Sequence, residues 1–270
     1  NIKIGKEMAI NPGEVFGTLQ GEATKEPAFG LDAIWIDPSQ RDYARTLGYT
    51  VVDSATAIAT HLNTLLRNNS SELLSHDETQ QLLDKVAARS PKLVEDLVPG
   101  KLPLATVTKV LQNVLNEGVS VRDMRTIIEA LSTESARTQD ADELTATVRP
   151  RLGRMIVQSL VDVNDSLPVM TLNPGLEQML HNVLQQSSNP QNAVIEPQLA
   201  EGLFQSLATN SQEVENQGHP AVLVVSPGIR PWLAKIIKHR LADLTVLSYS
   251  EIPDDQSVQV VATIDVDNTN

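Results

Sequence analysis

Residues 26–62, EPAFGLDAIWIDPSQRDYARTLGYTVVDSATAIATHL, decide how the chain is read. Apolar residues alternate there, with Leu31, Ala33 and Trp35 on one side and Ile34 and Ile36 on the other, which predicts a largely buried strand. Asp37-Pro38-Ser39 stops that strand and opens a helix. Pro38 takes a first-turn position, where its missing N–H costs nothing. The helix is SQRDYARTLG, and Gly48 ends it as the residue just past the last turn. Tyr49–Val52 is a second strand, and Asp53 or Ser54 caps the long helix that follows. Strand, short helix, strand, helix makes a compact α/β unit.

Working outward, residues 1–25 form an extended lead-in punctuated by Asn11-Pro12-Gly13, Gly17 and Gly21. Downstream of Ser54, apolar residues recur at Ile58, Leu62, Leu65 and Leu66 and predict one buried helical stripe. Ser75 and Glu78 have capping-box spacing ahead of another helix. Ser90-Pro91 starts a short helix that Pro99-Gly100 ends. Val107, Val110, Leu111, Val114 and Leu115 keep helical spacing over 104–117, and Gly118 closes that helix. Ser120 with Asp123 caps the next, through Leu131. Residues 132–139 are polar and predict a loop. Asp140 with Glu143 opens a helix whose apolar pattern contains Pro150, so a kink or break is expected there. Because lightly joined domains move by default, the last domain is expected to hinge near this point. From Pro168 the pattern changes to strands at 169–172, 222–225, 244–248 and 258–264. Helices at 174–186, 196–212 and 230–241 separate them, and 187–192 reads as a loop. The fold class is multi-domain α/β plus α: an α/β unit, a helical domain at 74–153, and a second α/β domain at 154–266.

Composition narrows the function. The 270 residues carry a net charge of −13 and no cysteine, which removes disulfides and thiolate chemistry and argues against a nucleic-acid surface. No apolar run approaches the ~20 residues needed to span a bilayer. Asn1–Lys6 has neither the apolar core nor the cleavage site of a signal peptide, and the start without Met reads as that of a fragment. The five histidines have no metal-binding spacing. Glu26, Asp32 and Asp53 are carboxylates without an accompanying nucleophile or base. Ser226-Pro227-Gly228 follows a strand and precedes a helix, so its amides could cradle an anion; a small-molecule enzyme using that turn is the alternative function. Lys235, Lys238, His239 and Arg240 complement the dipole of that helix or meet an acidic partner. Read from the residues alone, Phe29 is an aromatic core residue.

PAFGLDAIWI, GYTVVD with ATHL, and LVPGKLPLATVTKVLQNVLNEGVSVRDMRTIIEAL closely resemble the cytoplasmic portion of the type III export-gate family (FlhA/LcrD/InvA), whose members serve flagella and injectisomes. The resemblance covers nearly the whole chain and is densest from Ala9 to Leu160. It implies a non-enzymatic docking platform without cofactor or metal. Its partners would be flagellar export chaperones with their cargo, the export ATPase complex and other export-gate proteins, and not nucleic acid. It also implies a homo-oligomeric ring at the cytoplasmic face of the bacterial inner membrane, tethered by an N-terminal membrane part. Residues 6–53 would then be an inserted α/β domain, and 1–5 with 54–73 the remnant of a first cytoplasmic domain. The family's chaperone-docking depression falls on Phe29, Val52, Ala57 and Thr60. Its motif aspartate falls on Glu26, which keeps the charge and lengthens the reach. Where the family commonly has a larger aliphatic residue this chain has Ala57, which implies a deeper depression.

Overall fold

The computed structural model describes residues 3–187 and 193–266. Most of the loop expected at 187–192 lies outside the described residues, as do residues 1 and 2 of the lead-in. The chain divides into two compact units, residues 1–73 and 74–270, where the sequence pattern suggests three pieces.

The first unit is built on an antiparallel sheet of β1 (Glu7–Ile10), β2 (Glu22–Lys25), β3 (Asp32–Ile36) and β4 (Thr50–Asp53) in the order β2-β3-β1-β4. Its turns form where the sequence signals them. The Asp37 side chain accepts from the Ser39 amide at 3.2 Å and opens a short 3-10 turn that leads into α1 (Arg41–Thr46). Gly48, at φ 93°, supplies the left-handed residue that ends α1. Asp53 accepts from the Thr56 amide at 2.7 Å and caps α2 (Ser54–Asn68). Strand alternation then gives the sheet two apolar faces. Ala9 and Ile36 pack with Ala44 of α1 and Tyr49 on one face; Met8, Ala33 and Trp35 pack with Ala57 of α2 on the other. Glu7 is buried beside α1, and its carboxylate accepts from Arg41 Nε at 2.9 Å.

The stripe expected to be buried on α2 is not. Ile58, Leu62, Leu65 and Leu66 are 45–53% exposed, while Ala57 is buried and Thr60, His61 and Thr64 are half-buried. The helix turns its small and polar stripe to the sheet and its leucines outward. Periodicity identifies an apolar stripe without saying what covers it.

In the second unit the helices are α4 (His76–Ala87), α5 (Pro91–Leu97), α6 (Leu104–Asn116), α7 (Met124–Glu134), α8 (Ala141–Arg151) and α9 (Gly153–Gln158); α3 (Ser70–Leu73) closes the first unit. Ser75 and Glu78 form the expected capping box, and Asp123 and Asp140 cap α7 and α8. The chain continues into β5 (Leu167–Leu172), α10 (Pro174–Gln186), α11 (Pro197–Asn216), β6 (Val222–Val225), α12 (Arg230–Lys238), β7 (Thr245–Ser248) and β8 (Val258–Ile264). These strands form a parallel sheet in the order β7-β6-β5-β8. Both its faces are buried, as parallel sheets require. Leu167, Val169, Val222, Val224 and Leu247 face into one core with residues of α4 to α9. Met170, Leu172, Leu223, Val225 and Val246 face into another with α10, α11 and α12.

This shared core corrects the expected hinge. The helix carrying Pro150 does end soon after it, at Arg151, and α9 starts at Gly153. The junction is nevertheless packed. Arg149 and Glu251, each with a 2%-exposed side chain, are joined at 2.7 Å. Arg149 also meets Glu117 at 2.9 Å. Arg230 pairs with Glu117 and lies 3.5 Å from Glu251. Each cation thus faces both carboxylates. Backbone approach is equally close, since a Cβ on Gly153 would stand 2.1 Å from the Glu251 carbonyl oxygen. Swinging the second sheet away would uncover an apolar core and this charge cluster, so the packing opposes the motion.

Candidate functional site

Glu26 explains the geometry around Phe29. β2 ends at Lys25, and the turn before β3 folds back on Glu26. Its amide donates to the Leu31 carbonyl at 2.7 Å, and its carbonyl accepts from Gly30 at 2.9 Å. Gly30 makes this possible at φ 72°. The Glu26 carboxylate is 3% exposed and accepts from the amides of Ala28 at 2.9 Å and Phe29 at 2.6 Å. A carboxylate accepting from two backbone amides fixes a turn firmly. The tip it fixes carries Phe29, whose side chain is displayed with the residue 72% exposed. Phe29 is therefore not the core residue that its chemistry alone suggests; that role falls to Trp35. Replacing Glu26 with alanine is expected to free both amides and cost about 1–3 kcal/mol, while Glu26→Gln, which keeps an acceptor, should cost less. Urea midpoints of the two variants check this, and equal midpoints would contradict it.

Val52, Ala57 and Thr60 come together at the other end of the β2-β3-β1-β4 order. Register sets Met8 opposite both Trp35 and Val52, so the three side chains lie abreast on one face. Ala57 is 2% exposed and packs into this cluster, with Val52 half-buried at its border. Ala57 therefore shapes the surface from beneath. Thr60, one turn on, is half-buried. Phe29 is outside this cluster. β3 and β1 separate β2 from β4, a span of roughly 14 Å at ordinary strand spacing. Beneath the surface, the indole N–H of Trp35 is buried without a partner among the described residues.

One amide of the turn in the alternative reading is bonded within the chain. The Ser226 amide donates to the Glu177 carboxylate of α10 at 2.6 Å, which leaves the Gly228 amide as the turn's other donor. Burial and the Glu177 charge raise the pKa of the nearby Tyr249 hydroxyl. Among the described residues no group of three or more His, Asp or Glu is placed to hold a metal ion. No helix there is long and apolar enough to cross a membrane.

The fold has solved counterparts. The Chlamydia pneumoniae CdsV protein superposes with a TM-score of 0.81 at 23% identity, over 96% of this chain and 74% of that one. The nonameric EscV cytosolic domain from the type III secretion system gives 0.68 at 23%, over 92% and 78%. At such identity the likeness shows the fold alone, a mixed α/β arrangement shared with those proteins. Sequence goes further. Residues 1–257 match the FHIPEP family, and the chain belongs to that family. It is 45% identical over 260 residues to the flagellar biosynthesis protein FlhA of Escherichia coli, covering 96% of this chain and 37% of that protein. With FlhA of Bacillus subtilis it is 32% identical over 259 residues, covering 96% and 38%. The chain thus spans just over a third of the length of the curated relatives it matches.

Proposed function

We propose that this chain is the docking platform of a flagellar type III export gate, receiving chaperone–cargo complexes on the surface that carries Phe29, Val52 and Thr60. The observation that carries the reading is Phe29: a large aromatic, 72% exposed, held on a turn that a buried carboxylate locks. A monomer gains nothing from presenting such a side chain rigidly to water, whereas a binding surface gains a preorganised anchor. Glu26 sets the turn, Ala57 sets the depth under Val52, and Thr60 borders the opening.

In this reading the chain is one subunit of a ring, as the nonameric relative is, and works beneath the inner membrane with other export components. In the same reading the exposed leucines of α2 belong to a first cytoplasmic domain of which residues 1–5 and 54–73 are part. Residues 6–53, 74–153 and 154–266 are the remaining domains. The test is a pull-down of the chain with purified flagellar export chaperones, with and without cargo. Capture that depends on the chaperone, and strengthens with cargo, is the expected result; no capture in either state would overturn the reading.

A further inference from the structure

The basic patch on α12 resolves into members with different roles. Arg240 is occupied, pairing with Glu201 at 3.0 Å and stacking 4.5 Å from the centre of the Phe204 ring. Lys238 donates to the Asn116 carbonyl. The side chains of Lys235 and His239 have no partner among the described residues. They line a cleft of about 760 Å³ together with Asp140, Asp142 and Glu143 from the start of α8. The Glu117–Arg230 pair also lines it.

Each cluster has a plain explanation by itself, since acids suit a helix start and bases a helix end. That explanation does not cover their arrangement. Acidic and basic clusters line one cleft, yet no ion pair joins them, and Glu143 has no side-chain partner. Facing charges of opposite sign that stay apart leave room for a ligand carrying both. The cleft is as large as pockets that hold drug-sized molecules. Both walls spread their charge over a helical turn or more, which suits several side chains rather than one small zwitterion.

We propose that this cleft binds a polypeptide segment of bipolar charge, with basic side chains set against Asp140, Asp142 and Glu143 and acidic ones against Lys235, Lys238 and His239. The site lies in the second unit and is independent of the Phe29 surface. Its probe is a fluorescein-labelled decapeptide with lysines at one end, glutamates at the other and a Gly/Ser centre, titrated by anisotropy at 0.15 M salt. All-lysine and all-glutamate peptides of equal length are the controls. The bipolar peptide should bind tighter than either. Lys235→Glu and Glu143→Lys should each weaken it about fivefold, the size of an exposed ion pair turned repulsive. The double variant Lys235→Glu/Glu143→Lys reverses one charge on each wall but leaves Asp140, Asp142 and Lys238 in place, so turning the peptide end for end regains nothing. Its loss should therefore be about the product of the two single losses in affinity. Both side chains are exposed, so the fold is not at stake. A control peptide that binds as well, single reversals without effect, or a double variant that regains the parent affinity would each overturn the proposal.

Discussion

Replacing Arg149 with alanine is expected to destabilise the second unit by about 3–5 kcal/mol, the cost of leaving a buried charge unpaired. Arg149 is 1% exposed and spans Glu251 and Glu117, with its guanidinium 2.7 and 2.9 Å from their carboxylates. Its removal strands Glu251, whose remaining partners are the Ser248 hydroxyl at 3.0 Å and Arg230 at 3.5 Å. Lysine should not rescue it, because a point charge cannot reach two carboxylates as a planar guanidinium does. Changing Arg149 and Glu251 together to leucine removes the stranded charge and should recover much of the loss. Chemical denaturation reads both, and an Arg149→Ala loss under about 1 kcal/mol would show that the cluster does not hold the junction. The cluster also predicts acid lability. Burial pushes the Glu117 carboxyl up, but the hydrogen bond and charge of Arg230, with Arg149 and Lys238, draw it below its ordinary range. A carboxyl depressed in the folded state contributes stability above its unfolded pKa of about 4.3, and loses it as pH falls through the lower folded value. The wild-type midpoint should therefore fall steeply in acid, and more steeply than in a Glu117→Gln variant.

Much of this architecture was legible because its signals are local. The Asp37-Pro38 start, the Gly48 end, the Asp53 cap and the Ser75–Glu78 box are chemistry within four residues, and each lies where the pattern put it. The strands at Val222–Val225 and Val258–Ile264 and the helix Pro174–Gln186 keep their predicted bounds. What pattern could not supply was partnership across the chain. The leucines of α2 have the periodicity of a buried stripe, yet α2 meets the sheet through Ala57. Pro150 announces a break, but nothing near it announces Glu251, about a hundred residues on, or the sheet that closes the same core. At the candidate site, Phe29 carries no mark of exposure in its own sequence. Its position follows from Glu26 folding back on two amides, a geometry in which a three-residue spacing is visible but a buried carboxylate is not.

Phe29 supplies the second large effect, and here binding rather than stability should move. Truncation to alanine is expected to lower chaperone affinity by about thirtyfold, the ~2 kcal/mol typical of a central aromatic anchor. The fold should shift by no more than about 0.5 kcal/mol, because a side chain on a residue 72% exposed gives up little packing. Had Phe29 been core, the same change would cost about 3–5 kcal/mol and threaten the small first unit. The two accounts therefore part in which titration responds. Thr60→Met is an independent probe of the far side of the surface, adding bulk at a half-buried position beside Ala57. If chaperones cover the span from the Phe29 turn to α2, both variants should lose affinity while keeping the denaturation midpoint. Loss in Phe29→Ala alone would confine the contact to the turn between β2 and β3. Full binding by a well-folded Phe29→Ala protein would remove Phe29 and its turn from the docking site, since the substitution leaves the turn intact while taking away its most exposed large apolar side chain.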